Sequence, residues 1–381
     1  MVFTKKNYFY LIILSILFLS IQISNNRFNM NDFQVYYRAG HRLLAQENLY
    51  RIISDGHYLF KYSPTFAFFS IPFSLLNIEV SKLFYWLLMT GFVYFTLRST
   101  YLFISKKETI SNVNLQINIS SIFLSIHFMR EIDLGQVNLI LASIYILGIN
   151  LYLNKKFIAF SFLLAFSLFI KPFGLIWLPF LIINKNYRTI FILILFVLAF
   201  FVIPLTVVEF KYLIIQNKMW IQEMQIELAQ KKNLITEGNH TIFSIIARYT
   251  PFRYVSSFEF SSIILKALIS FFILILNVNF FSKKPNSTWN LFFFLSWIPL
   301  LSYTSDNAFG AYSLPLIIMA TYLITEKKIL WIVVPLFFVL LNPLEISHQP
   351  IFYFIHNYSI MGLSSITLIL SIAFYRYKNI I

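Results

Sequence analysis

Asp32 is a candidate residue for proton transfer. It lies in the stretch Asn29–Gly40, which reads NMNDFQVYYRAG and follows the first long apolar segment of the chain. A carboxylate beside a membrane can act as a general base toward a hydroxyl group when burial tunes its pKa. Aspartate is also a favoured N-cap residue, so the alternative is that Asp32 caps the helix that follows it. The spacing leaves both interpretations open.

A second polar stretch, Arg130–Asn138, reads REIDLGQVN and separates two apolar segments. Gln136 and Asn138 stand at the start of the second of these segments. Polar side chains just inside a membrane helix commonly form hydrogen bonds with neighbouring helices. Contact with a substrate is the alternative, and the spacing does not separate the two.

Lys171 precedes Pro172 between two short apolar segments. Its ammonium group can extend to the lipid headgroups, or it can bind a phosphate. The six histidines show no zinc-protease spacing, and a Gly-rich phosphate loop is missing, which argues against a nucleotide-driven pump. The sequence has no cysteine, which excludes disulfides, thiolate metal sites and a cysteine nucleophile.

Residues 238–241 read GNHT and predict a turn that leads into an amphipathic helix, with Thr241 as its cap. His240 and Arg248 can contact an anionic headgroup, and the alternative is that both are ordinary surface residues. Asp306, in the stretch SYTSDN, is a second carboxylate that we expect near the outer membrane surface.

The elements that position these residues must be membrane helices. The chain of 381 residues is 59% hydrophobic and only 12% charged, whereas soluble domains carry about 25% charged residues. Only helices and closed barrels satisfy their backbone polar groups in lipid. The apolar runs are long and continuous, as in Phe191–Val207 and Ser261–Asn277, whereas barrel strands alternate. The predicted fold class is therefore an all-α polytopic membrane protein.

Paired basic residues divide the chain at regular intervals, with apolar segments long enough for two helices between them. This pattern is typical of short cytoplasmic loops under the positive-inside rule. The run Tyr8–Ile23 follows Lys5 and Lys6, and no small-residue cleavage site follows it, so we expect an uncleaved first helix. Most of the net charge of +15 then orients the protein and contacts membrane lipids rather than nucleic acid. The pairs are Lys106–Lys107, Lys155–Lys156, Lys185 with Arg188, Lys283–Lys284, Lys327–Lys328, and Arg376 with Lys378.

The segment Pro64–Ile78 decides the orientation of everything that follows it. It has about 15 residues and contains Pro72, so it is short for a span, and we expect a juxtamembrane helix on the outer face. If it crossed the membrane, every later basic pair would lie outside. The remaining segments form a bundle of about 12 helices with both ends in the cytoplasm. The predicted spans are 8–23, 82–104, 113–129, 136–153, 157–170, 173–184, 189–208, 261–281, 289–303, 311–325, 329–342 and 357–375.

This topology predicts a single integral membrane domain over residues 1–381. Two loops, 24–81 and 209–260, lie on the outer side and are expected to form the roof of an active site. Almost all acidic residues also fall on that side, so chemistry that uses carboxylates belongs at the outer membrane surface.

Taken in order, these motifs resemble glycosyltransferase family 87, a branch of the GT-C superfamily of membrane enzymes that use polyprenyl-phosphate sugars. The resemblance extends from about residue 30 to residue 320. The residues that carry it are Asp32 with Tyr36, Tyr37 and Ala39, Leu49–Tyr50, Tyr62–Pro64, Gly135–Asn138, Lys171–Pro172, Gly238–Thr241 and Arg248.

The resemblance implies an inverting transferase that follows the GT-C bundle architecture. Asp32 matches the acidic residue of the first extracytoplasmic loop and would deprotonate an acceptor hydroxyl, which attacks the anomeric carbon and displaces polyprenyl phosphate. Lys171, His240 and Arg248 are candidates to stabilise that leaving group. The family's Gly-Asn-Gln-Ser stretch appears here as GNHT, so His240 and Thr241 depart from the pattern. The candidate substrate-binding residues are Tyr36, Tyr37, Tyr62, Gln136, Asn138, Lys171, Asn239, His240, Arg248 and Asp306.

The resemblance further implies a hexose, mannose by family default, that passes to a lipid-linked or cell-envelope glycan at the outer face of a bacterial inner membrane. No metal or other cofactor is expected, because members with a lipid monophosphate donor are generally metal-independent. The alternative is a secondary transporter or lipid flippase, although transporters usually show repeated halves with midplane charges. A third hypothesis is an O-antigen-type polymerase or ligase.

Overall fold

A computed structural model of the protein describes residues 5–56, 58–107, 113–230, 234–235, 238–254, 259–282, 288–302, 306–340 and 350–378. Every regular element in these ranges is a helix, which confirms the all-α prediction. The residues form two compact units. We call them the Asp32 unit, which comprises Thr4–Thr96 and Met129–Gln230, and the His240 unit, which includes Leu97–Phe128 and Lys231–Ile381. The single domain remains a prediction.

The Asp32 unit is built from ten helices or parts of helices within the described residues, together with short 3₁₀ turns at Ile53–Asp55, Pro172–Ile176 and Ile203–Thr206. Its helices are α1 (Lys5–Ser24), α2 (Asn31–Leu44), α3 (Pro64–Ser74), the first part of α4 (Ile78–Lys107), the end of α5 (Val113–Leu134), α6 (Asn138–Leu153), α7 (Phe157–Ile170), α8 (Trp177–Ile183), α9 (Tyr187–Val202) and α10 (Phe210–Gln230).

Helix α3 covers most of the segment Pro64–Ile78, which we expect to lie along the membrane rather than to cross it. Ser63 caps the helix by accepting a hydrogen bond from the Phe66 amide at 3.1 Å, and Pro64 occupies its first position. The helix has 11 residues, about 16 Å of rise, whereas the hydrocarbon core is about 30 Å thick. It packs along α2, where Gly40 leaves room for the Ser74 hydroxyl that donates to the Tyr37 carbonyl at 2.6 Å. Its place on the outer face remains a prediction.

The two predicted outer loops contact each other within the Asp32 unit. The Leu49 amide donates to Gln216 Oε1 at 3.2 Å, and Arg51 pairs with Glu223 at 2.8 Å. Tyr212 adds a hydrogen bond to the Glu47 carbonyl. Helix α10 therefore supports the segment that follows α2.

The His240 unit continues α4 and α5 and adds the helices of the C-terminal third of the chain. These are α11 (Ile242–Tyr249), α12 (Glu259–Ser282), α13 (Thr288–Leu295), α14 (Ile298–Leu301), α15 (Asp306–Tyr312), α16 (Leu314–Thr325), α17 (Val333–Leu340), α18 (Pro350–Asn357) and α19 (Ile360–Tyr377), with 3₁₀ turns at Pro251–Tyr254 and Leu330–Ile332. Gln116 of α5 donates to the Ile318 carbonyl of α16 at 2.7 Å. Such buried polar contacts between apolar helices are typical of membrane bundles.

Three helical stretches of the described residues are long and apolar enough to cross a membrane, namely Ile78–Leu102, Tyr187–Thr206 and Ile360–Tyr377. Other predicted spans are shorter apolar helices of 10–17 residues. The predicted span 289–303 is divided into α13 and α14, whereas 311–325 contains only the end of α15 and then α16. The second helix of each pair has a proline in its first turn, where the missing N–H costs no helical hydrogen bond. The count of 12 spans is therefore not confirmed.

The lipid-facing character of the chain is clearest on α9. Phe191, Ile194 and Leu198 are 61%, 51% and 58% exposed, respectively. A contiguous apolar surface of this kind is a liability in water but is matched by lipid. The protein is a helical membrane protein.

Candidate active site

Asp32 lies in the first turn of α2 and is half-buried. The N-cap of this helix is Met30, with φ of 46° and ψ of 54°, so Asp32 does not occupy the cap position. The positive end of the helix dipole favours a negative charge in the first turn. The charge of Asp32 also acts on Tyr36, Tyr85 and Glu131, so these three side chains lie within the range of its electrostatic interaction.

Gly135 holds the end of α5 against the start of α2. The Gln136 amide donates to the Glu131 carbonyl and the Gly135 amide to the Ile132 carbonyl, which is the Schellman pattern of a helix C-terminus. Gly135 has φ of 69°, and a Cβ there would stand 2.7 Å from the Cβ of Phe33. This close approach brings the last turn of α5 next to Asp32.

Asn138 is the centre of a buried polar network in the Asp32 unit. Its side chain is 2% exposed. Its Nδ2 donates to Gln136 Oε1 at 2.7 Å and to Glu131 Oε1 at 3.3 Å, while its Oδ1 accepts from Lys171 Nζ at 2.7 Å. One amide therefore connects a carboxyl group with an ammonium group.

Glu131 lies in the last turn of α5, beyond residue 129, where the predicted span ends. It is fully buried at 0% exposure. Burial raises the pKa of Glu131 to about 8, against the attraction of Lys171, which lowers it. Asp32 raises it further by repulsion. Glu131 is therefore largely protonated at neutral pH.

Tyr36, Tyr62 and Tyr50 form an aromatic wall, of which Tyr36 is the member that the charge of Asp32 reaches. The hydroxyl groups of Tyr36 and Tyr62 lie 3.3 Å apart, and their rings meet edge to face at 5.3 Å. Tyr50 holds this pair by donating to the Tyr62 carbonyl at 2.7 Å. Burial, together with Tyr62 and Asp32, raises the pKa of Tyr36 well above its usual value, so its hydroxyl stays neutral. A wall of hydroxyl groups and ring faces of this kind suits a sugar.

Tyr37 differs from Tyr36 in its role. Its hydroxyl donates to the Leu76 carbonyl at 2.8 Å, and its ring meets that of His41 edge to face. These contacts join α2 to the end of α3. The contacts of Tyr37 in the structure are therefore ones that stabilise packing. Contact of Tyr37 with a substrate stays a prediction.

The GNHT stretch belongs to the His240 unit and forms the predicted turn. Gly238 has φ of 72°, and Thr241 caps α11 by accepting from the Ser244 amide at 3.2 Å, which confirms the predicted cap. Asn239 Oδ1 accepts from the Thr241 amide and hydroxyl at 3.1 and 2.8 Å, while its Nδ2 donates to the Leu234 carbonyl. The polar atoms of the Asn239 side chain are thus used within the turn.

His240 is buried in the His240 unit and packs between two rings. Its ring centroid lies 5.7 Å from that of Phe309 and 5.5 Å from that of His356. Arg248 donates through Nε to the Ser244 hydroxyl at 3.1 Å and through Nη1 to the Asn357 carbonyl, so it joins α11 to α18. Binding of an anionic headgroup by His240 or Arg248 stays a prediction.

Asp306 is the first residue of α15. Its side chain lies outside the described part of the structure, and so do residues 303–305. Of the candidate residues, one set lies in the same compact unit as Asp32. The other set, Asn239, His240, Arg248 and Asp306, belongs to the His240 unit. The first set consists of Tyr36, Tyr62, Gln136, Asn138 and Lys171.

Two members of the Asp32 cluster are missing from the residues selected from the sequence, Glu131 and Tyr85. Tyr85 stacks on Phe33 with ring centroids 4.5 Å apart and lies beside Tyr36. Its position within a long apolar helix carries no signal in the sequence. Glu131 stood in the selected REIDLGQVN stretch, and its spacing of seven residues from Asn138 would place both on one side of a continuous helix.

A sequence model of glycosyltransferase family 87 matches residues 60–302, which is more than half of the chain. Asp32, Tyr36 and Tyr37 precede the matched range in the sequence. In the folded chain, Tyr36 contacts Tyr62 and Tyr37 contacts Leu76, which lie inside that range. A search of curated proteins finds no match. The extent of the family match shows that the chain belongs to glycosyltransferase family 87 and is therefore a membrane glycosyltransferase.

Proposed function

We propose that the protein transfers a hexose, mannose by family default, from a polyprenyl-phosphate donor to a lipid-linked glycan or glycolipid of the cell envelope. The observation that carries this proposal is the cluster around Asp32. It combines a half-buried carboxylate, the Tyr36–Tyr62 pair and the ammonium of Lys171 in one unit. These groups correspond to a base, a wall for the sugar and a cation for a phosphate.

The proposed reaction is a single displacement with inversion. Asp32 takes the proton of the acceptor hydroxyl while the hydroxyl oxygen forms a new bond to the anomeric carbon. The bond between that carbon and the phosphate oxygen breaks, and polyprenyl phosphate leaves with the electron pair. Lys171 stabilises the negative charge that develops on the leaving phosphate. The proposal requires no metal or other cofactor.

The membrane location supports a lipid-linked donor. A polyprenyl chain does not diffuse through water, whereas a site beside apolar helices receives it from the bilayer. We propose that the site faces the periplasm or exterior of a bacterial inner membrane, with about 12 spans and both termini in the cytoplasm, because the basic pairs follow the positive-inside rule. The transporter or flippase alternative lacks comparable support, since the family of this chain is one of glycosyltransferases.

The test is a transfer assay with purified protein in lipid nanodiscs and a panel of polyprenyl-phosphate sugars. Product formation is followed by mass spectrometry, with sugar nucleotides as the competing donor class. We expect transfer from one polyprenyl-phosphate sugar, and a loss of about 10²–10⁴-fold in Asp32→Asn, the range for a general base.

Asp133→Asn is the matched control, because Asp133 is ion-paired with Arg130 at 2.8 Å and has no assigned part in the reaction. Transfer only from sugar nucleotides would contradict the proposed donor. Equal rates in Asp32→Asn and the wild type, with both proteins eluting as the same monodisperse peak, would contradict Asp32 as the base.

A further inference from the structure

Glu131 is a buried carboxyl group that the proposed reaction does not yet use. Its Oε1 accepts from Asn138, while its Oε2 has no hydrogen-bond partner within the part of the chain that the structure describes. A fully buried carboxylate is costly, because the surrounding protein must replace its hydration. An apolar residue of similar size would remove that cost. A buried carboxyl group at this position is therefore a candidate for a functional role.

The groups that face Glu131 come from several elements. Lys171, between α7 and the following 3₁₀ turn, attracts it, and Asp32 of α2 repels it. Tyr85 of α4 is the neighbouring hydroxyl on which Glu131 acts. On its own helix, Arg130 is paired with Asp133. Asn138 and the backbone amide of Leu139 also act on Glu131, and both lower its pKa, but burial outweighs them.

We propose that Glu131 is a positioning residue for the transfer reaction and that it works in its protonated form. The proton resides on Oε2, because Oε1 accepts from Asn138. In this form Glu131 holds the Asn138 amide, which in turn holds Lys171 at 2.7 Å, without adding a second negative charge beside Asp32. The inference rests on the proposed use of a phosphate-linked donor.

The charge balance of the cluster explains why the neutral form is needed. With Glu131 protonated, the pair of Asp32 and Lys171 carries no net charge. Ionised Glu131 would give the cluster one net negative charge, which repels a phosphate group. The pKa of Glu131, raised by burial to about 8, supports the neutral form at neutral pH. An ionised Glu131 would also attract Lys171 away from the donor phosphate.

The first test compares the pH dependence of transfer in the wild type and in Glu131→Gln, which is neutral at every pH and can still accept from Asn138. A group with a pKa of about 8 changes from mostly protonated at pH 7 to mostly ionised at pH 9, so wild-type kcat/KM should fall about tenfold between these values. Glu131→Gln should lose this alkaline decrease. Asp133→Asn, the neighbouring carboxyl variant, should keep it.

A second comparison separates positioning from simple folding. Glu131→Leu removes the acceptor of Asn138, and we expect transfer at pH 7 to fall by roughly tenfold or more, since displaced catalytic groups lose rate steeply. Glu131→Gln should restore most of that loss. Equal transfer in Glu131→Leu and the wild type would overturn the inference.

Infrared difference spectroscopy supplies a readout that needs no turnover. The wild type should show a protonated carboxyl band at pH 7 that disappears on titration to pH 9 and is missing in Glu131→Gln. If that band is missing at pH 7, or if the alkaline decrease persists in Glu131→Gln, the role of Glu131 is wrong while the proposed function stands. If no polyprenyl-phosphate sugar is used at any pH, the proposed donor and the role of Glu131 are both contradicted.

Discussion

Asn138 accepts a hydrogen bond from Lys171 at 2.7 Å, across 33 residues of sequence. The bond joins the first residue of α6 to the residue that follows α7. Because the same amide donates to Gln136 and Glu131, the position of the Lys171 ammonium depends on the loop between α5 and α6. One buried side chain thus connects Lys171 with Gln136 and Glu131.

Replacing Asn138 should therefore disturb both stability and transfer. Asn138→Ala leaves Lys171 and Glu131 without their shared partner, and an unsatisfied buried polar group costs about 1–3 kcal/mol. We expect a lower melting temperature in detergent, measured by differential scanning fluorimetry, and reduced transfer. Asn154→Ala is the control, because Asn154 is an exposed asparagine that follows the same helix. Equal melting temperatures of the two variants would contradict the central role of Asn138.

Gly135→Ala should displace the end of α5 from α2. An alanine at φ of 69° costs about 1–2 kcal/mol, and its Cβ would also clash with Phe33. Melting temperature and transfer should both decrease. In Gly91→Ala, the control, the new Cβ meets nothing within 4 Å, so transfer should stay close to that of the wild type and the melting temperature should not decrease. A Gly135→Ala protein with wild-type transfer would show that the close approach is not required.

Substitutions of Thr241 test whether its hydroxyl stabilises the turn of the GNHT stretch. Its hydroxyl caps α11 and contacts Asn239, so Thr241→Val should destabilise the protein by about 1 kcal/mol. Thr241→Ser keeps the hydroxyl and should retain most of this free energy of unfolding. The measurement is the denaturant midpoint of purified protein in detergent. Equal midpoints for the two variants would contradict a capping role.

The ion pairs of Asp55 predict that the protein becomes less stable at acid pH. Its carboxylate accepts from Arg42 at 2.5 and 2.8 Å and pairs with Arg38 at 3.2 Å. Burial opposes ionisation of Asp55, but the arginines outweigh it and lower its pKa. A carboxylate with a lowered pKa stabilises the fold above its unfolded pKa of about 4, and this stability is lost as pH falls through the folded pKa.

The corresponding experiment compares the wild type with Asp55→Asn between neutral pH and the acid range below pH 4. The variant should be less stable by about 1–3 kcal/mol at neutral pH, since hydrogen bonds to charged groups are lost. The difference should narrow as Asp55 of the wild type becomes protonated. A difference that stays constant down to the acid transition would show that the ion pairs contribute nothing.

Several features followed from local sequence alone. The helix after Ser63 and the cap at Thr241 need only a hydroxyl beside backbone amides, so short motifs predict them. The apolar run of α9 predicts a membrane helix because lipid excludes unpaired backbone groups. The number of spans was harder to predict. Composition shows continuous apolar segments around α14 and α16, but a proline in the first turn of each helix marks a break between two shorter helices.

Hydropathy and the order of motifs along the chain were enough to predict a helical membrane protein of glycosyltransferase family 87, because neither depends on how the chain folds. The folded chain was needed to show that the charge of Asp32 acts on Glu131 and Tyr85, and that the Asn239 side chain forms its hydrogen bonds within the turn. Burial and the charges of distant residues set the protonation of a carboxyl group, and neither is encoded in the neighbouring residues.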